Sequence, residues 1–247
     1  AARLPVYALL IGAFIPAHRI GGLMNLQGLV LFALYVLGIV GAMAVGWVMK
    51  RFRHDQSEHA LLMELPSYRL PTPRDVAIGL WERASIFVKR LTGVILALTV
   101  LMWFLSAFPG PPAGATRPAI EYSFAGYFGH WLQYLFAPLG FTWEMCISLI
   151  PAFAARETAV AALATVYSVG GADLGDGLGT ALTHNFGLPS ALSLLVWFVF
   201  APQCMSTLAV IRRETHSWRN VAISFGYMFG VAYLASLITY QVARWLL

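Results

Sequence analysis

Long apolar stretches, separated by short polar segments, dominate the pattern of hydrophobic and polar positions along the chain. A helix needs about 20 apolar residues to cross the ~30 Å hydrocarbon core of a bilayer. Three stretches approach or reach this length without a charged residue: 29–49, 91–108 and 221–242. We therefore predict three spanning helices. In the first, Gly38, Gly41 and Gly46 are placed for close contact with a neighbouring helix.

Three further apolar stretches contain a proline, which removes a helical hydrogen bond. They are 4–15 with Pro5, 146–169 with Pro151, and 188–211 with Pro202. We predict a helix break at each of these prolines. Broken helices are tolerated in a membrane only where the freed backbone groups face protein or a water-filled cavity.

The aromatic-rich segment 122–137 is too short to cross a bilayer comfortably. An interfacial or re-entrant helix is as consistent with it as a span. The longer stretch 121–168 forms either a re-entrant hairpin or a pair of short crossings, and the sequence leaves both open.

The composition agrees with a membrane protein and excludes several other classes. Of the 247 residues, 59% are hydrophobic and 11% are charged, against about 45–50% and about 25% in soluble domains. Polar side chains are too few to cover a soluble enzyme, and apolar ones are too many for a disordered tail. Because Cys146 and Cys204 both lie in apolar stretches, a disulfide framework is excluded as well. We predict an all-α polytopic membrane protein.

The sixteen Lys and Arg residues are unevenly distributed along the chain. Eight lie within 50–90 and three within 212–219, whereas the loops 109–120 and 169–188 hold one between them. Cytoplasmic loops of membrane proteins carry such an excess of basic residues. We therefore place 50–90 and 212–219 on the cytoplasmic side of a bacterial inner membrane and expect no nucleic-acid partner. Residues 73–90 further predict an amphipathic helix on the inner surface that runs into the span 91–108.

Two parts of the chain resemble one unit in opposite orientations. Residues 1–6 and 205–210 share a few residues, and each leads through a polar stretch containing Asn25 or Asn220 into a long helix. By the charge distribution, the first of these helices runs inward and the second runs outward. Such inverted repeats are typical of transporters, whose substrate sites lie near the midplane where helices are broken.

The candidate site consists of the reactive side chains next to the predicted breaks. Cys204 and Met205 follow Pro202, and a thiolate with a thioether suits a transition-metal ion. Glu157 places an ionisable group inside an apolar stretch, where it is costly and is therefore a functional candidate. Packing of Cys204 and an ion pair between Glu157 and Arg156 are the alternatives.

Four segments, in order along the chain, resemble the membrane domain of FeoB, the bacterial ferrous iron transporter family. They are Ala-Arg-Leu-Pro-Val-Tyr at 2–7, Met-Glu-Leu-Pro-Ser-Tyr-Arg-Leu-Pro at 63–71, Ala-Arg-Glu at 155–157 and Cys-Met-Ser-Thr-Leu-Ala at 204–209. One difference is Gln203, because many relatives have proline directly before the cysteine. The resemblance implies inverted-repeat Gate units: the end of the first with its following helix (1–49), a cytoplasmic middle segment (50–90) and the second unit (91–247).

The resemblance also implies the substrate and the partners. Fe²⁺ is the expected transported substrate, held transiently by the metal ligands Cys204, Met205 and Glu157, and the chain is expected to be a transport domain and not an enzyme. GTP and Mg²⁺ are expected only in an N-terminal G-protein domain that is absent here, and the chain has no P-loop motif of its own. The lipid bilayer, that G-protein domain and a small FeoA-type accessory protein are the expected partners, and the resemblance allows an oligomer.

Two other functions stay open at this point. A Gate-type transporter of a nucleoside or another small solute would use Cys204 only for packing. A membrane scaffold without transport activity would use Glu157 only in a structural ion pair.

Overall fold

Helices account for nearly all of the described chain. The structure is a computed structural model, and it describes residues 4–16, 19–20, 24–52, 72–110, 119–154, 158–169, 178–202 and 205–246. Within these ranges the helices are α1 (Leu4–Phe14), α2 (Leu26–Phe52), α3 (Pro73–Ala107), α4 (Phe124–Phe136), α5 (Trp143–Ala154), α6 (Thr158–Val169), α7 (Leu178–Asn185), α8 (Leu188–Phe200), α9 (Met205–Thr215) and α10 (Trp218–Leu246). Two short strands, β1 (Arg19–Ile20) and β2 (Met24–Asn25), pair antiparallel, and 3-10 turns occupy Ala119–Tyr122 and Ala137–Leu139. The prediction of an all-α membrane protein is confirmed.

Among the described residues, two helices are long and apolar enough to cross a membrane. They are Leu26–Arg51 within α2 and Trp218–Leu246, which is α10, and they contain the predicted spans 29–49 and 221–242. The predicted close contacts of α2 are confirmed at two of its glycines. A Cβ at Gly38 would lie 3.5 Å from Val199, and one at Gly41 would overlap the Phe200 ring, whereas Gly46 has open space around it.

The third predicted span is part of a longer helix. α3 runs for 35 residues without interruption, so the predicted surface helix 73–90 and the span 91–108 form one element of about 52 Å. Thr72 caps its first turn by accepting a hydrogen bond from the backbone N–H of Asp75. At the other end Phe108 is extended, as expected for a residue that precedes a proline.

α8 is the buried centre of the bundle, and it packs along α10 and against α1 and α2. Two reciprocal hydrogen bonds join it to α10. The Ser193 hydroxyl donates to the Ser236 carbonyl oxygen at 3.2 Å, and the Ser236 hydroxyl donates to the Ser193 carbonyl oxygen at 3.1 Å. Both side chains are fully buried. Small polar residues of this kind hold helices together in membranes, where apolar contacts alone do not distinguish a helix from lipid.

α4 stays on one side of the bundle. Its 13 residues measure about 20 Å, which is too short to cross. The backbone N–H of Phe124 donates to the Phe108 carbonyl oxygen just after α3, at 2.9 Å. The turn after α4 contacts the C-terminal half of α10, where the Gln241 side-chain amide donates to the Pro138 carbonyl oxygen at 3.4 Å. Both ends of α4 therefore lie beside the C-terminal parts of α3 and α10, the parts that the charge distribution places outside.

α5 and α6 form a hairpin that enters the bundle from that side and returns. α5 is bent by 100° from α4. The ring of its Phe153 packs against the ring of Phe225, in the N-terminal half of α10, with 6.0 Å between the ring centroids. At the other end of the hairpin, Tyr167 of α6 lies near Thr142 and Glu144, where α5 begins. Of the two alternatives for 121–168, the contacts favour the re-entrant hairpin over a pair of crossings.

Two of the three predicted helix breaks are wrong in position. Pro5 lies in the first turn of α1, where a helix has no hydrogen bond to lose at its N–H. Pro151 lies inside α5, which continues to Ala154. The break at Pro202 is confirmed, because α8 ends at Phe200. The predicted loop 169–188 is also wrong in part, since it contains α7.

Candidate functional site

The predicted site residues border two junctions between helices. Glu157 lies in the α5–α6 junction (155–157) and Cys204 in the α8–α9 junction (201–204), and both residues lie outside the described part of the chain. Met205 is described through its backbone as the first residue of α9. The surroundings of the site are therefore given by the helix ends on either side of each junction.

A hydrogen bond joins the helix ends on the two sides of the α5–α6 junction. The Thr158 hydroxyl, in the first turn of α6, donates to the Pro151 carbonyl oxygen at 2.9 Å. Thr158 therefore keeps the start of α6 beside the last turn of α5. The three residues of the junction, Glu157 among them, connect two helix ends that lie close together.

The α8–α9 junction begins where Pro202 terminates α8. Ala201 adopts an extended conformation, as residues before proline do. Its backbone N–H still donates to the Trp197 carbonyl oxygen at 2.7 Å, which closes the last turn. Pro202 itself is buried. Because proline has no N–H donor, the helical hydrogen-bond pattern of α8 cannot continue through Pro202.

The helix ends beside the two junctions line one cavity of about 10 Å³, about the size of a single water molecule. Its lining comes from the last turns of α5 and α8: Leu149, Ala152, Phe153, Trp197, Phe198, Ala201 and Pro202. α9, which begins after the second junction, also contacts α5. The sequence placed Glu157 and Cys204 at separate breaks 47 residues apart in the chain, and the fold brings the helix ends beside them together.

A contact between the cavity lining and α10 shows how deep in the membrane the cavity lies. Phe153, in the cavity lining, contacts Phe225, which lies about 10 Å along α10 from its first residue Trp218. α10 spans about 43 Å in all. The cavity therefore lies closer to the N-terminal end of α10, the end predicted to be cytoplasmic, than to the other end.

The electrostatics of the cavity are set by backbone rather than by described side chains. Every described lining residue is apolar. The C-terminal parts of α5 and α8 both line it, and a helix C-terminus carries a partial negative charge. Within the described part of the chain, no three His, Cys, Asp or Glu side chains are grouped to hold a metal. An ion bound here would need the side chains of the junctions.

Aromatic rings make one wall of the cavity rigid. Trp197 packs against Phe136 and Phe141 at centroid distances of 5.2 and 6.0 Å, and against Phe229 at 5.4 Å. The sequence analysis did not single out these residues, and only Phe136 belongs to the aromatic-rich segment 122–137. Cys146, which the sequence places in an apolar stretch, is fully buried in the hydrophobic core.

A second, larger cavity lies on the other side of α8. It has a volume of about 560 Å³ and lies between α2, α8 and α10, with Tyr7 of α1 at one side. The small residues Gly38, Ala42 and Gly46 of α2 leave the space open, and no charged side chain lines it. The sequence indicated the glycines as contact points and gave no sign of a cavity.

Two family models match the chain. One, described as the C terminus of ferrous iron transport protein B, matches residues 31–83. The other, named Gate and described as nucleoside recognition, matches residues 88–218. No solved structure matches.

Curated relatives cover almost the whole chain. Proteins named Fe(2+) transporter FeoB are similar to it in Leptospira interrogans (36% identity), Staphylococcus aureus (35%) and Leptospira biflexa (34%), each over 98% of the chain. The alignments cover 37%, 34% and 37% of those proteins, so the chain spans little more than a third of their length.

Proposed function

Because this chain belongs to the FeoB family, of which it is the C-terminal membrane part with a Gate segment, we propose that it passes Fe²⁺ across the bacterial inner membrane. The observation that carries the proposal is that the C-terminal parts of α5 and α8, each followed along the chain by candidate ligands, line one small space of about 10 Å³ inside the bundle. Transporters place ion sites at such interruptions, where helix C-termini and freed carbonyl oxygens can coordinate a cation.

We propose that Cys204, Met205 and Glu157 complete the site from the two junctions. The thiolate and thioether are soft ligands suited to a first-row transition metal, and the carboxylate supplies negative charge. Few protein ligands and some retained water keep binding weak enough for release. By the contacts of the cavity lining with Phe225 and Phe229 of α10, the ion is held between the midplane and the cytoplasmic end of that helix.

The wider protein is part of the same proposal. A G-protein domain that binds GTP and Mg²⁺, located in the part of the relatives that this chain does not span, would control the gate, with a small FeoA-type protein and further copies as partners. α3 offers a mechanical path for that control, because one uninterrupted helix joins the cytoplasmic segment to the membrane. The chain itself acts as a transporter and catalyses no reaction. The boundaries at 49/50 and 90/91 stay predictions, and the second falls inside α3.

Uptake of Fe²⁺ by proteoliposomes that contain the full-length protein tests the site. Cys204→Ser, Met205→Leu and Glu157→Gln are each expected to lower uptake, with the first on the order of 10- to 100-fold, the range seen when metal sites lose a supporting group. Cys146→Ala is the matched control, because that thiol is buried in the core away from both junctions. Unchanged uptake in the Cys204 and Glu157 variants would refute the metal site.

A second candidate function rests on the cavity beside α2. Its volume of about 560 Å³ falls in the range of small-molecule sites, and the Gate model carries the description nucleoside recognition. If the protein transports an organic solute through this cavity, adenosine or uridine competes with that solute for uptake. Ala42→Leu would then fill the cavity and block transport, while Cys204→Ser would have no effect.

A further inference from the structure

The turn between α9 and α10 carries a charged cavity that neither the iron site nor the family membership uses. It has a volume of about 310 Å³ and is lined by Ala209, Arg212, Arg213, His216 and Trp218. It lies at the basic end of α9, where α10 begins. From this geometry we infer that the cavity binds the phosphate headgroup of an anionic phospholipid.

The arginines are placed for an anion and not for a partner within the described protein. The guanidinium carbon of Arg212 lies 4.0 Å from the centroid of the Trp218 ring, a stacked arrangement that orients the cation without neutralising it. Arg213 lies 3.4 Å from Glu214, but both side chains are mostly exposed, and such surface pairs contribute little. The Arg212 charge and much of the Arg213 charge therefore remain available to a phosphate, for which an arginine fork is well shaped.

The turn holds these groups in a fixed arrangement. His216 has a left-handed backbone (φ 50°), which reverses the chain between the two helices. Ser217 then caps α10 by accepting a hydrogen bond from the Asn220 backbone N–H at 3.4 Å. The positive end of the α10 dipole points toward the same cavity and adds to the attraction for an anion.

The position of Trp218 selects a lipid as the source of the phosphate. Trp218 is 67% exposed and is the first residue of a helix that can span the membrane. Tryptophan at the end of a spanning helix lies at the level of the headgroups. Basic residues at this level attract the anionic lipids of the cytoplasmic leaflet.

Native mass spectrometry of the full-length protein tests this inference by counting bound lipid in a titration with phosphatidylglycerol. The double variant Arg212→Gln/Arg213→Gln is expected to weaken binding about 25-fold, the effect of removing two charges at the membrane surface. Arg244→Gln is the matched control, because Arg244 is an exposed arginine at the opposite end of α10. Arg212→Lys/Arg213→Lys keeps the charges and should retain most of the binding.

Three results would overturn the inference. The first is equal loss of phosphatidylglycerol from the Arg244 and Arg212/Arg213 variants. The second is equal retention of phosphatidylcholine and phosphatidylglycerol by the unaltered protein. The third is stabilisation against heat by inorganic phosphate alone to the extent that phosphatidylglycerol gives, since the cavity would then be a soluble-anion site. Thermal unfolding in lipid-free micelles confirms that the double variant is folded before its binding is compared.

Discussion

Gly126 fixes the start of α4 to the turn that precedes it, and replacing it with alanine should loosen this contact. A Cβ at Gly126 would lie 2.4 Å from the Ile120 carbonyl oxygen and 2.8 Å from that of Glu121. The neighbouring atoms belong to the backbone, so they cannot move aside as a flexible side chain would. The Ile120 carbonyl also accepts hydrogen bonds from the Ser123 backbone N–H at 3.1 Å and from the Ser123 hydroxyl at 2.6 Å.

The size of the effect follows from two opposing terms. Overpacking at a tight contact costs about 1–3 kcal/mol, and alanine in place of glycine within a helix returns up to about 1 kcal/mol. The net loss expected for Gly126→Ala is therefore about 1–2 kcal/mol. For a chain of this size, that corresponds to a melting temperature lower by about 2–8 °C.

The assay follows the exposure of a buried thiol on heating. Cys146 is fully buried, so in a Cys204→Ser background a maleimide dye reacts with it only as the protein unfolds. Gly230→Ala is the control, because a Cβ at Gly230 meets no atom within 4 Å and should leave the melting temperature unchanged or slightly raised. If the Gly126→Ala protein is as stable as the Gly230→Ala protein, the backbone of the turn at Ile120 can move aside for a Cβ at little cost. The proposed attachment of α4 to this turn would then be wrong.

Two further substitutions can be measured in the same assay. Gly140→Ala should lower stability by about 2–4 kcal/mol, because Gly140 has a φ of 75° and a Cβ there would overlap the Tyr240 ring. If adding Tyr240→Ala to this variant restores full stability, the left-handed backbone conformation at position 140 costs alanine nothing, and that part of the reasoning is wrong. Tyr167→Phe should change stability by no more than about 1 kcal/mol, because the buried Tyr167 hydroxyl makes no hydrogen bond of normal geometry within the described part of the chain, although Thr142 lies nearby; a larger loss of stability would show that Thr142 is bonded to this hydroxyl.

The sequence predicted those parts of the fold that depend on one segment at a time. α2 and α10 follow from uninterrupted apolar runs that lipid can surround. The end of α8 at Pro202 follows from the chemistry of proline. The helix break predicted at Pro5 is wrong because a proline in the first helical turn loses no hydrogen bond, and the sequence alone did not show where that turn begins.

The meeting of the two junctions could not be predicted, because it depends on contacts between distant segments. The 100° bend between α4 and α5 decides that the hairpin re-enters the bundle. A tight turn at Gly140 and the packing of Phe136 against Trp197 accompany that bend, and neither leaves a periodic pattern. Glu157 and Cys204 could therefore be chosen by residue type, whereas the proximity of the helix ends beside them is visible only in the fold.

The reciprocal bonds between Ser193 and Ser236 restrict which parts of the bundle can move. A slip of α8 along α10 by one turn, about 5.4 Å, would break both bonds in an interface where the two side chains are fully buried. α8 and α10 must then shift as one rigid body, with Pro202 carried at the end of α8.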